Sequence, residues 1–200
     1  MIISIKTESL RKATKKQKLV IQLNTSLDMS SAMMNLYLGE MAKRPELQPF
    51  EKIYTLAFSL SNLAEALKRF EEIVEYQVIT LEDVGPDNLV DWDYLNSTEG
   101  LSIKRLLFSI RDQIVFHVDY KSLRNYLDKT EEEQVDILEV SEDERLGVSQ
   151  LSFNIVAHNL QNEINIDYDK VIEIGSLLKS LKNLVRSYII KNFEVTAKSG

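Results

Sequence analysis

The chain has 200 residues, of which 44% are hydrophobic and 28% are charged, and its formal net charge is −7. This is enough apolar material for the core of one large domain. The absence of cysteine excludes disulfides, thiolate metal sites and cysteine nucleophiles, and the negative charge argues against a broad nucleic-acid-binding surface.

The first segment, residues 1–18, is basic. It holds one acid, Glu8, against six cations: Lys6, Arg11, Lys12, Lys15, Lys16 and Lys18. A secretory signal has its basic residues before a longer apolar stretch, whereas here they follow a short one. No segment approaches the roughly 20 apolar residues of a membrane span. We therefore expect a cytoplasmic protein that does not enter a membrane.

Apolar residues recur at helical spacing in four long stretches. We predict helices from about Ser26 to Lys43, from Pro49 to Val74, from Leu101 to Val118, and over 171–193. In the second of these the polar residues Ser59, Glu65 and Glu72 are predicted to face away from the apolar stripe. With only six Gly and three Pro in the chain, long helices are favoured over many short strands.

Turn-forming residues mark a connecting segment at 80–100. A second loop is expected at 129–147, and it includes the acidic run 131–144. Short helical segments are expected at 121–127 and 151–160, and a short strand at 135–140. Together these features predict a single all-α domain over residues 1–200. Its fold class is an antiparallel helix bundle of four long helices with short accessory helices.

Several kinds of site are missing from the sequence. Two histidines without cysteine cannot form a classical zinc site, and no glycine-rich phosphate loop is present. Asp91 and Asp93 are best interpreted as solvated acids, and His158 as a core or boundary histidine. The prediction is no cofactor and no metal.

One segment carries residues suited to proton transfer and phosphate binding, namely Arg111, Asp112 and His117 at the end of the central helix. Histidine can take a proton from a ribose 2′-hydroxyl or give one to the leaving oxygen. Arginine can hold a phosphate through paired N–H bonds and stabilise the charge that develops on it. Asp112 can orient either partner. These residue types together favour metal-independent cleavage of RNA.

The spacing Arg111-Asp112-x4-His117 resembles the Arg-x5-His form of the motif in HEPN-superfamily domains (higher eukaryotes and prokaryotes nucleotide-binding). The surrounding sequence, including Phe116 and Val118-Asp119, is most similar to the abortive-infection (AbiU-like) branch. The resemblance implies an α-helical bundle and a homodimer that brings two Arg/His motifs into one composite cleft. It also implies a toxin ribonuclease of phage defence or of a toxin–antitoxin pair, with RNA as substrate and an antitoxin protein as a possible partner.

On an ideal helix, Arg111 and His117 lie about 120° apart around the axis and about 9 Å apart along it. A bend near His117, a swing of the Arg side chain, or a two-fold dimer can bring the two together. Three alternatives remain open. The chain is an inert HEPN-like dimeric binding module, or an unrelated helical adaptor that docks a basic partner through 131–144, or Arg111 and Asp112 are surface groups while His117 caps the helix.

Overall fold

A computed structural model of the protein describes residues 2–41, 49–111, 124, 128–129, 156–157, 160, 166 and 168–198. These residues are mainly helical and confirm the predicted all-α bundle. The elements are β1 (Ile2–Ile5), α1 (Thr7–Lys12), α2 (Lys15–Asn35), a π-helical segment (Leu36–Met41), α3 (Pro49–Glu75), α4 (Leu81–Val84), a 3-10 turn (Pro86–Asn88), α5 (Leu89–Asn96), α6 (Thr98–Ile110), α7 (Tyr168–Asn192) and β2 (Val195–Lys198).

Helix α2 begins eleven residues before the predicted start at Ser26, so that boundary was wrong. Thr14 caps the helix, because its side chain accepts a hydrogen bond from the Gln17 backbone N–H while the Gln17 side chain accepts one from the Thr14 N–H. The first turns bury Val20 and Leu23 completely. The basic residues around them obscured this apolar side, since they lie on the exposed side of the same turns.

Helix α3 begins at Pro49, as predicted, and together with α7 it supplies most of the described core. Its buried apolar residues are Leu56, Ala57, Leu60, Leu63, Ala64, Ala66, Leu67, Phe70 and Ile73. One assignment of its faces was wrong. Ser59, predicted to face away from the core, is fully buried, and its hydroxyl donates to the Ser30 carbonyl oxygen of α2 at 3.1 Å. That bond satisfies the hydroxyl where α2 and α3 pack together.

The segment 80–100, predicted as a connecting loop, is mostly helical: it contains α4, the 3-10 turn, α5 and the start of α6. The N–H and hydroxyl groups of Thr80 both donate to the Asp83 carboxylate at 3.0 Å, which starts α4. Burial of Val84 and Leu95 then holds these short helices on the core. Turn chemistry was correctly recognised there, but it marks helix caps and not an irregular loop.

Helix α6 starts three residues before the predicted Leu101. The later part of the predicted helix, 112–118, lies outside the described residues. Ser97 caps it, because its hydroxyl accepts a hydrogen bond from the Gly100 N–H at 3.1 Å. A Cβ on Gly100 would collide with the Tyr94 carbonyl oxygen and lie 3.2 Å from the Leu95 Cα. Glycine is therefore what permits α5 and α6 to meet so closely.

The described helices close into a ring. Helix α2 contacts α3 and α7, α3 contacts α6, and α5 contacts both α6 and α7. The predicted apolar stripe of α7 is buried as expected, from Val171 to Tyr188. Polar bonds also tie α7 to its neighbours: Asn183 donates to Asp91 at 2.9 Å, and Lys182 pairs with Asp28 of α2 at 2.8 Å.

The two strands form an antiparallel ladder in which Ile2 faces Lys198 and Ile5 faces Val195. Of the predicted helix 121–127 only Arg124 is described, and it is helical. Of the predicted helix 151–160, Val156, Ala157 and Leu160 are described, and all three lie in helical turns. The predicted strand 135–140 and the whole acidic run 131–144 lie outside the described residues. Of the predicted loop 129–147, only Lys129 is described. None of the described helices is both long and apolar enough to cross a membrane.

Gly100 and Gly175 provide a matched pair for testing the α5–α6 junction. We expect Gly100→Ala to lower the free energy of unfolding by about 1–3 kcal/mol through overpacking. Gly175, in the middle of α7, has no atom within 4 Å of its Cβ position, so Gly175→Ala should raise that free energy by about 0.5–1 kcal/mol. Urea unfolding followed by circular dichroism measures both, and equal effects of the two substitutions would contradict this account of the junction.

Candidate functional site

Arg111, the one predicted site residue that the structure describes, lies at the C-terminal end of α6. Its backbone is helical (φ −55°, ψ −50°), and its N–H reaches the carbonyl oxygens of Leu107 and Phe108. The preceding residue, Ile110, is fully buried. The side chain of Arg111 is 26% exposed, and its guanidinium contacts α3.

The guanidinium is ion-paired. Its Nε donates a hydrogen bond to Oε1 of Glu65, a residue of α3 whose side chain is 33% exposed. This bond uses one of the five N–H donors of the arginine. A second ion pair joins the same two helices, because Nζ of Lys104 lies 3.4 Å from Oε1 of Glu71. Antiparallel helices account for both pairs, since a step forward along α3 matches a step back along α6.

Lys104 is the more deeply buried of the two cations, with a side chain only 10% exposed. Removing its partner would leave a charge with little access to water, which is costly. The side chain of Arg111 is 26% exposed, so of these two cations Arg111 is the one that an incoming anion reaches more readily.

The other predicted site residues, Asp112 and His117, lie outside the described residues, and so does His158. The structure therefore places one member of the proposed triad and leaves the remaining geometry as a prediction. Asp91 accepts a hydrogen bond from Asn183, so it has a packing role between α5 and α7. Within the described ranges no group of three His, Asp or Glu is arranged to hold a metal ion.

Glu65 was missed as a site residue. It was correctly predicted to lie away from the apolar stripe, but its bond with Arg111 depends on how α3 and α6 are aligned. That alignment relates residues 46 positions apart. No local pattern in the sequence reports it.

No protein-family model matches the chain, and neither a curated protein nor a solved structure is significantly similar to it. What can be said about function therefore rests on the chain's own residues.

A double-mutant cycle tests the Arg111–Glu65 ion pair. We expect Glu65→Ala and Arg111→Ala to be coupled by about 1 kcal/mol in the free energy of unfolding, since both side chains are partly screened by water. Glu65→Ala combined with Lys104→Ala is the control. Their effects should be additive, because Lys104 pairs with Glu71 and not with Glu65. A coupling near zero for the first pair would show that the ion pair contributes nothing to stability.

Proposed function

We propose that the protein is a metal-independent endoribonuclease of the HEPN type, acting as a toxin or in phage defence. Arg111 binds the scissile phosphate, His117 transfers the proton, and Asp112 orients one of them. The observation that carries the proposal is the Arg111-Asp112-x4-His117 motif, which begins at the end of a core helix in an all-helical bundle. The 26% exposure of the Arg111 side chain supports it, because an anion from solvent can reach a group at that depth.

The proposed reaction needs a base, an acid and a cation. A histidine takes the proton of the ribose 2′-hydroxyl, and the resulting oxygen attacks the adjacent phosphorus atom. The bond from phosphorus to the 5′-oxygen breaks, and that oxygen receives a proton from the acid. The products are a 2′,3′-cyclic phosphate and a free 5′-hydroxyl. The guanidinium of Arg111 stabilises the negative charge that builds on the phosphoryl oxygens.

A homodimer provides both the base and the acid. A single helix separates Arg111 from His117 by about 120° and about 9 Å, so one chain does not by itself place them on one face. Two copies related by a two-fold axis can bring Arg111 of each towards His117 of the other. One histidine then acts as base while the other acts as acid.

One observation favours a second candidate, an inert HEPN-like dimeric binding module. The carboxylate of Glu65 already holds the Arg111 guanidinium, and a phosphate approaching the same cation is repelled by it. In an inert module this pair would only join α3 to α6.

Cleavage of a mixed RNA pool in EDTA tests the enzyme. We expect the dimeric wild type to cleave, and His117→Ala to lose about a hundredfold or more of the rate because proton transfer is removed. Arg111→Ala should lose about as much, because charge stabilisation is removed. Arg105→Ala is the matched control, since Arg105 is an exposed arginine of the same helix, and it should cleave normally.

Two outcomes would contradict the proposed role of the motif in RNA cleavage. If a folded, dimeric wild type leaves the RNA intact, the proposal fails and the inert module replaces it. If Arg105→Ala reduces cleavage as much as Arg111→Ala does, the effect is one of general charge and not of the motif.

The variant Glu65→Gln also distinguishes the ribonuclease from the inert binding module. The substitution keeps a hydrogen-bond acceptor for Arg111 and removes the negative charge that competes with phosphate. We expect it to tighten RNA binding and raise cleavage by about tenfold at low salt, equivalent to about 1.4 kcal/mol. Glu71→Gln, which neutralises the carboxylate paired with Lys104, should change neither. Cleavage that falls in Glu65→Gln would show that the Glu65 charge helps catalysis by positioning Arg111.

A further inference from the structure

A groove of about 380 Å³ lies between the first turns of α2 and the last turns of α3. Lys15 and Lys16 line it from α2, and Arg69 and Tyr76 line it from α3. Its floor is apolar and includes Ile73, which is almost fully buried. The groove thus combines a basic rim with an apolar interior.

The turn that ends α3 shapes one end of this groove. The N–H of Val78 donates to the Ile73 carbonyl oxygen at 2.9 Å, and the N–H of Gln77 donates to the Val74 carbonyl oxygen at 2.9 Å. Gln77 has a left-handed backbone with φ 53°, so the bonds and the conformation together form a Schellman motif. Val78 is turned back under the helix, whereas the Tyr76 ring stays at the rim and is 65% exposed.

The cations of the groove differ from their neighbours in the basic segment. Lys6 pairs with Glu194 at 2.7 Å, and Lys12 pairs with Glu8 at 2.6 Å. By contrast, no carboxylate in the described part of the chain is ion-paired with Lys15, Lys16 or Arg69. The lining holds one acid, Glu72, against these three cations. An anion that enters the groove therefore meets net positive charge in a protein whose overall charge is −7.

The groove and the candidate site share one side of α3. Glu65, Arg69, Glu72 and Tyr76 follow one another at steps of four, three and four, which places them along a single stripe of the helix. Tyr76 lies about 16 Å from Glu65 along the axis. A polymeric ligand that follows this stripe from the groove reaches the Arg111–Glu65 pair.

We propose that the groove binds a segment of single-stranded RNA. Lys15, Lys16 and Arg69 hold its phosphates, and a base stacks on the Tyr76 ring. An exposed aromatic ring beside a row of cations is the combination that single-stranded nucleic acid needs, because every base offers a flat face and every linkage a negative charge. An acidic peptide would use the cations but would leave the ring without a stacking partner. The choice of RNA rests on the proposed function, and the stripe supplies a path from the groove to Arg111.

Binding is measured apart from cleavage, by fluorescence anisotropy of a labelled RNA of about 12 nucleotides, long enough for this kind of site. The full chain is used with His117→Ala present throughout, so that the RNA stays intact. Lys15→Ala with Lys16→Ala should weaken binding and reduce the slope of log Kd against log salt by about 0.7 for each phosphate that is no longer neutralised. A role of these lysines in folding alone would leave that slope unchanged.

Two matched pairs of variants locate the ligand. Tyr76→Ala should weaken binding about tenfold, because it removes the ring on which a base stacks, whereas Tyr76→Phe keeps the ring and should bind normally. Arg69→Ala should weaken binding and reduce the slope of log Kd against log salt by about 0.7, because one phosphate is no longer neutralised. Lys68→Ala removes an equal charge from the neighbouring position, which does not line the groove, and should have little effect.

The outcomes separate the two proposals. RNA binding that depends on the groove, without cleavage by the wild type, supports the groove and overturns the ribonuclease. If every groove variant cleaves RNA at the wild-type rate, the proposal of an RNA-binding groove fails and the ribonuclease proposal stands. Absence of RNA binding by the folded protein at low salt overturns the groove proposal as well. Binding of poly-glutamate in place of RNA, with the same dependence on Lys15 and Lys16, overturns it in favour of an acidic protein partner.

Discussion

Burial of the apolar side of α3 against α2 and α6 is the constraint on which the rest of the described structure depends. Nine apolar residues of this helix are buried, and each large one among them contributes about 1.5–3 kcal/mol relative to an exposed side chain. Once that side is committed to the core, the rotation of α3 about its axis is determined. The outward stripe from Glu65 to Tyr76 then has no other place to lie, so the position of every charged group on it follows from apolar packing.

The same constraint explains why the two surfaces of interest adjoin. Helix α6 reaches the outward stripe at one point, where Arg111 meets Glu65, and α2 reaches it at another, where Lys15 and Lys16 line the same groove as Arg69. Each junction brings cations from a neighbouring helix to a row that α3 itself makes mixed in charge. A protein with a net negative charge thereby acquires a basic region without any basic excess in its sequence as a whole.

Periodicity was sufficient to predict α3 and α7, because each has a continuous apolar stripe many residues long. It failed where local chemistry decides the structure. The start of α2 depends on a cap at Thr14 within a basic run. Helices α4 and α5 are too short to show a clear helical repeat of apolar residues. Ser59 was misplaced because its hydroxyl finds a buried carbonyl on another helix. The candidate site was predictable only as a set of residue types, since the pairing of Arg111 with Glu65 depends on tertiary alignment.

The ladder between β1 and β2 has a consequence for the order of folding. Its partners come from opposite ends of the described sequence, so pairing them in an unfolded chain would cost the closure entropy of a very long loop. Four-residue strands cannot repay that cost alone. The helices must first bring the two segments together, after which the strands meet almost without further loss of freedom. Amide protons of the ladder should therefore become protected last during refolding, which makes this small sheet a reporter of whether the bundle has closed.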